Sequence, residues 1–198
     1  MKISHLLAAG EDFLIDLCRR IDREEGMTGG HEAGNRVVKL SDQKTAKFGE
    51  GVTASEDATQ KLAHTKLDPA RVRVPKVHRF FESTTAQTGR RVAYLLMEYV
   101  PGRTPTDADL DCEKRAGGLV SRFAGIIASL ATIRGSIPGP LDDGLSDGTI
   151  DLSPHPLVLC HSDLYRRNMI ILNDDDDNDG LSIFLVDWGP HGVLPAVL

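Results

Sequence analysis

The residues that could do chemistry gather in one stretch, Leu157 to Gly189, which reads LVLCHSDLYRRNMIILNDDDDNDGLSIFLVDWG. His161, Ser162 and Asp163 follow an apolar run. Asn168 comes five residues after Asp163, and Asp187 closes the later apolar run SIFLV. Phosphoryl transfer from ATP needs little covalent help. It needs a carboxylate that orients the attacking hydroxyl and oxygen ligands that hold magnesium on the phosphates. A lone Asp at a strand end is more often a turn former or a helix cap. The joint spacing of His, Asp, Asn and a second Asp between two apolar strands is what sets this stretch apart.

The order H-x-D-x-x-x-x-N, followed by an Asp at the end of the next strand, is that of a kinase-type catalytic loop. On these residues the segment resembles the catalytic core of the aminoglycoside phosphotransferase/choline kinase-like family, the small-molecule branch of the protein kinase fold. Members usually carry HGDLxxxN and end the metal strand in DW or DF; here Ser162 stands where glycine is usual. The resemblance implies Asp163 as catalytic base, His161 as a brace of the loop, and Asn168 and Asp187 as magnesium ligands. It implies ATP and Mg2+ as cofactors and the hydroxyl of a small molecule as acceptor. The alternative is a catalytically silent, shortened relative that binds a nucleotide or a partner. Arg166 and Arg167 could meet phosphate charge or face solvent.

The elements that must position these residues are legible upstream. Residues 36–49, RVVKLSDQKTAKFG, read as a hairpin of strand RVVKL, turn SDQK and strand TAKF. Side chains alternate along a strand, so Thr45 and Lys47 share a face, while Lys44 falls in the expected turn. A helix is expected from about Thr53 to Leu67, with Thr53 or Ser55 as its cap. Glu56 lies in its first turn, where a carboxylate suits the helix dipole. The resemblance implies Lys47 as the lysine on the nucleotide phosphates and Glu56 as its ion-pair partner. A strand lysine and an early helix acid are ordinary when taken singly. RVAYLLMEYVPG reads as a strongly apolar strand ending in a Pro-Gly turn. It resembles the family's hinge, which implies that Met97, Glu98, Tyr99 and Val100 offer backbone groups to an adenine ring. The loop EEGMTGGHEAGN holds Gly29, Gly30 and Gly34 but no G-x-G-x-x-G.

The expected fold class is α+β and bilobal, with an antiparallel sheet in an N-lobe of residues 1–102 and a reduced, mostly helical C-lobe over 103–198. The resemblance covers roughly residues 30 to 195 and describes a C-terminally shortened version, since relatives continue with several more helices. An amphipathic helix is expected over residues 3–24, with Gly10 as its weak point, and a core helix over 113–134. Apolar surface left open on that second helix would be covered by a protein partner or remain a liability. No A-P-E follows DWG, so an activation loop of the protein-kinase type is not expected.

Composition sets outer limits. The 198 residues are 40% hydrophobic and 26% charged, as in an ordinary soluble domain. A net charge of −6 gives no reason to expect a nucleic acid or an anionic membrane as partner. No apolar run approaches the roughly 20 residues that span a bilayer, and the N-terminus does not read as a signal peptide. Cys18, Cys112 and Cys160 form no zinc or C-x-x-C spacing, which suits reduced thiols in the cytoplasm. Asp175, Asp177, Asp179 and Gly180 begin like a calcium loop, but Val186 occupies the position of the bidentate Glu, so a solvated turn is expected.

Overall fold

A computed structural model describes residues 6, 8–31, 34–85, 88–111, 113–135, 139–140, 157–172, 182–189 and 192–195. Helix α1 (Glu11–Glu24) starts at Gly10, which holds an extended conformation as N-cap, so the weak point of the expected helix is where the observed one begins. Then follow β1 (Gly29–Gly30), β2 (Arg36–Ser41), β3 (Lys44–Gly49), α2 (Ala54–Lys66), β4 (Val77–Thr84) and β5 (Arg91–Glu98). The strands form one antiparallel sheet in the order β1-β2-β3-β5-β4.

The two faces of this sheet have different work, as strand alternation requires. Ala46, Phe48, Tyr94, Leu96, Phe81 and Val38 pack under Leu14, Leu17, Cys18 and Ile21 of α1. Phe48 and Phe81 stack on either side of Tyr94, with ring centroids 5.5 and 5.0 Å away. Burial pushes the Cys18 thiol up to about 12, so it behaves as a small apolar side chain. On the opposite face Ala93, Leu95, Met97, Val77 and Val52 form a second cluster, and Lys47 emerges there toward α2.

One expectation needs correcting. The hairpin turn is Asp42–Gln43 alone, because Ser41 pairs directly with Lys44 beyond an irregularity after Lys39. Lys44 is therefore a buried strand residue rather than a turn residue. Its Nζ lies 2.5 Å from His78 Nε2. Burial, then the charges of Lys44 and Lys76, lower the His78 pKa below its usual 6.5, with Glu98 opposing and His64 adding slightly.

The second lobe contains β6 (Gly102–Arg103), α3 (Asp107–Asp111), α4 (Glu113–Leu130), β7 (Arg134–Gly135), β8 (Gly139–Pro140) and β9 (Leu157–Cys160). A 3-10 turn over Arg166–Asn168 leads into β10 (Met169–Leu172), followed by β11 (Ile183–Leu185) and β12 (Gly192–Pro195). These strands form two small sheets, ordered β11-β10-β6 and β7-β9-β12-β8. Arg103 grips Asp109 with two bonds of 2.6 and 2.8 Å, which fixes the chain as it leaves the first lobe.

The lobes share a core. Ala63, Leu67, Val72 and Val74 from the first lobe pack with Leu119, Ile126 and Leu130 of α4 and with Leu159, Met169, Leu185 and Trp188. The backbone is stitched as well: the Arg73 amide donates to the Ile183 carbonyl, and the Leu185 amide to the Arg73 carbonyl, both at 2.9 Å. Val120 and Ile127 on α4 are 66% and 47% exposed, so apolar surface does remain open on this helix. Among the described residues, no helix is long and apolar enough to cross a membrane. Cys112 and the acidic run at residues 173–181 lie outside the described residues.

Two glycines make opposite predictions. A Cβ on Gly102 would sit 2.3 Å from the Ile171 carbonyl oxygen, because β6 runs tightly against β10. Gly102→Ala is expected to cost about 1–3 kcal/mol in urea unfolding. Gly117, inside α4, has nothing within 4 Å of such a Cβ, so Gly117→Ala should stabilise by about 0.5–1 kcal/mol. His78 predicts an acid limb. Its folded pKa is depressed, so its contribution is present above pH 6.5 and lost as pH falls through the folded value. His78→Gln should flatten that limb in urea midpoints measured across pH 4.5–7.5.

Candidate active site

Lys47 sits on the central strand of the sheet, paired to Val37 on one side and Leu95 on the other. Thr53 starts α2 by accepting the Glu56 amide on its hydroxyl at 3.1 Å, the cap expected of Thr before a helix. That start places Glu56 on the helix face turned to the sheet. Lys47 Nζ donates to Glu56 Oε1 at 2.5 Å and to Asp187 Oδ1 at 2.7 Å, the latter across 140 residues of sequence. Lys47 and Glu56 are only 6% and 1% exposed, whereas Asp187 is half open to solvent.

Burial works to lower the Lys47 pKa, but attraction to Glu56 and Asp187 and the two hydrogen bonds outweigh it and hold the ammonium charged. For Glu56, burial is the largest influence and pushes the carboxyl upward; Lys47 pulls it back and Asp187 adds to the rise. Glu56 Oε2 is buried without a hydrogen-bond partner, so this carboxylate depends on Lys47. One turn later on the same helix face, Gln60 donates to the Pro75 carbonyl at 2.8 Å and contacts Met97 Sδ at 3.4 Å. Gln60 was not singled out in the sequence, although its spacing of four from Glu56 signals a shared face.

The loop after β9 is built around the backbone of Val186. His161 Nε2 donates to the Val186 carbonyl at 3.0 Å, and the Val186 amide donates to the Asn168 carbonyl at 2.9 Å. The His161 ring meets Trp188 edge-on with centroids 4.7 Å apart. Asn168 Nδ2 donates to both the carbonyl and Oδ2 of Asp163, each at 2.9 Å. Arg167 Nη2 also reaches Asp163 Oδ2, at 2.7 Å. Both partners thus share one oxygen, and among the described residues Asp163 Oδ1 accepts nothing. Asp187 has a φ of +63°, a left-handed conformation that Asp tolerates better than most residues. Such backbone persists where its surroundings over-determine it. Here Lys47 holds the side chain, and the following Trp188, fully buried, bonds to the Leu185 carbonyl at 3.1 Å.

The structure therefore brings Lys47, Glu56 and Asp187 into contact and holds His161, Asp163 and Asn168 in one loop, with Val186 joining the two groups. In the segment expected to offer backbone groups to an adenine ring, two amides are spent within the protein. The Glu98 amide is taken by the Lys76 carbonyl at 2.9 Å and the Tyr99 amide by the Gln43 carbonyl at 3.0 Å, because strand pairing continues past the end of β5. Of these four residues Val100 is the one whose amide has no acceptor among the described residues. As for metal ligands, the described residues contain no cluster of three or more His, Cys, Asp or Glu. Asn168 turns its amide nitrogen to Asp163 and so its oxygen away, and Asp187 is half open. Two hard oxygens suit magnesium, which commonly takes one or two protein ligands and fills the rest with phosphate oxygens and water.

No family model matches the chain. No curated protein matches it either. Solved structures do. WaaP, solved with acyl carrier protein, is 13% identical with a TM-score of 0.52, over 93% of this chain and 70% of that one. A mutant aminoglycoside 2'-phosphotransferase-IIIa solved with GDP is 10% identical with a TM-score of 0.56, covering 94% and 74%. APH(2")-IIia solved with GDP and kanamycin is 10% identical with a TM-score of 0.54, covering 91% and 73%. At these identities the likeness is one of fold: the chain has the bilobal α+β kinase-like fold.

Lys47→Met leaves Glu56 buried without its counter-charge and is expected to cost about 3–5 kcal/mol in urea unfolding. Glu56→Gln should cost less, since Lys47 keeps Asp187. The raised Lys47 pKa also sets an alkaline limb: its contribution is full below pH 10.5 and lost as pH rises through the folded value. Unfolding midpoints should show that limb shrink in Lys47→Met.

Proposed function

We propose that this protein is a phosphotransferase that moves the terminal phosphoryl group of a nucleoside triphosphate to a hydroxyl of a small molecule. The observation that carries the reading is the Lys47–Asp187 contact, flanked by buried Glu56, in a chain whose loop also holds Asp163 and Asn168. ATP is the donor expected from the sequence. Two solved neighbours hold GDP, so GTP belongs in the same test.

In this reading Asp163 offers Oδ1 to the acceptor hydroxyl while Arg167 and Asn168 steady Oδ2, so the carboxylate is aimed before the acceptor arrives. Lys47 brings a fixed positive charge to the phosphates, and Glu56 keeps it in place. His161 holds the segment between β11 and Asp187 through the Val186 carbonyl. Asn168 Oδ1 and Asp187 are the residues that would hold magnesium, whose charge neutralises phosphate oxygens when bound. Along Met97, Glu98, Tyr99 and Val100, the backbone carbonyls and the Val100 amide are the groups this reading gives to the base.

A second reading is a module that binds nucleotide and a protein partner without transfer. It draws on the open Val120 and Ile127 of α4 and on WaaP having been solved with a protein partner. Thermal unfolding with magnesium and ATP or GTP comes first. A ligand at about 100 times its Kd stabilises by about 2.7 kcal/mol, and Asp187→Ala should remove the effect. Labelled γ-phosphate transfer should then fall at least ~100-fold in Asp163→Asn, the scale of a lost general base, with nucleotide stabilisation retained. No magnesium-dependent shift with either nucleotide would sink both readings; a shift with no transfer would favour the second.

A further inference from the structure

Among the described residues, the guanidinium in contact with the Asp163 carboxylate is that of Arg167. Lys47 is committed to Glu56 and Asp187, and Arg166 is drawn aside by Asp107. Arg167 lies four residues after Asp163, and the 3-10 turn Arg166–Asn168 folds it back so that Nη2 meets Asp163 Oδ2 at 2.7 Å. Its guanidinium also lies 4.8 Å from the centroid of the Tyr165 ring, a contact that helps fix its plane. The side chain is 63% exposed, so the donors not spent on Asp163 face solvent. An exposed pair of this kind adds little to stability.

We propose that the acceptor carries an oxyanion, a phosphate or a carboxylate, close to the hydroxyl that is phosphorylated, and that Arg167 recognises it. The inference rests on the phosphotransferase reading above and names its substrate class. An acceptor hydroxyl bound to Asp163 Oδ1 brings its neighbouring groups beside a guanidinium that already neutralises that carboxylate. An ammonium group there meets the open Asp163 Oδ1 but also the exposed N–H groups of Arg167, which repel it. An oxyanion receives parallel N–H donors from a planar cation whose orientation is set in advance.

The test uses one scaffold with four charges: glycerol, 3-amino-1,2-propanediol, glycerate and glycerol 3-phosphate. Each is titrated by ligand-observed NMR into the full chain, with and without magnesium and a non-hydrolysable nucleotide. The same samples are melted to read nucleotide binding. At least one anion should bind tenfold or more tightly than glycerol, and the amine no more tightly. Which anion wins separates phosphate from carboxylate. Arg167→Gln should lose the tenfold preference while still melting near wild type, Arg167→Lys should keep part of it, and Arg166→Gln should keep it. A preference for the amine, no preference for either anion, or one unchanged in Arg167→Gln overturns the inference. If nucleotide still binds in that case, the phosphotransferase reading stands without it. If wild type binds no nucleotide, that reading falls, and an anion preference surviving alone would mark a site unrelated to transfer, which also overturns the assignment.

Discussion

A buried ammonium between two carboxylates is the constraint on which the rest of this structure turns. Lys47 has left water almost completely, and so has Glu56. Neither could do so alone, because an unpaired buried charge costs several kcal/mol. Glu56 supplies the compensation from a helix that begins three residues earlier, at the Thr53 cap. Asp187 supplies it from the far end of the chain, on a residue bent into a left-handed conformation. Burial presses the Glu56 carboxyl upward, while the pair of carboxylates keeps Lys47 charged.

The two lobes are arranged so that this contact can exist. Packing is continuous from α2 to α4 and Trp188, and the Arg73 backbone bonds on both sides into β11, two residues before Asp187. The segment that leads from β11 to Asp187 is therefore fixed to the first lobe through main chain as well as through Lys47. On its other side, Val186 spends its amide on Asn168 and its carbonyl on His161. One residue with an apolar side chain thus sets the spacing between the loop that carries Asp163 and the carboxylate that meets Lys47. Its side chain has no part in this, so any residue with a backbone N–H that suits the local packing could serve, and the sequence gives it no mark.

Much of the fold was legible because it follows from local rules. Alternation along RVVKL and TAKF put Lys47 on the face opposite the α1 core, and the Thr53 cap put Glu56 on the first turn of α2. Gly10, expected as the weak point of a helix over residues 3–24, is where α1 begins. The Lys44 assignment failed because the length of a hairpin turn depends on strand register, which the irregularity after Lys39 shifts. Register also decides which amides after β5 stay open: how far the neighbouring strands continue lets Lys76 and Gln43 claim those of Glu98 and Tyr99.

The sequence by itself determined the chemical inventory: which side chains could act as base, metal ligand or phosphate-binding cation, and on which strand, helix or loop each would lie. The placement on elements follows from spacing and side-chain type, while the roles are what the resemblance implies. Only the tertiary structure decided which of them meet. The 140 residues between Lys47 and Asp187 carry no record of their contact, since pairing over that distance arises from the packing of two lobes rather than from any local period. The same holds for the oxygen of Asp163 that stays open. Asn168 and Arg167 both take Oδ2 because the 3-10 turn closes in one particular way, and a linear spacing of four or five residues does not specify which oxygen is spent.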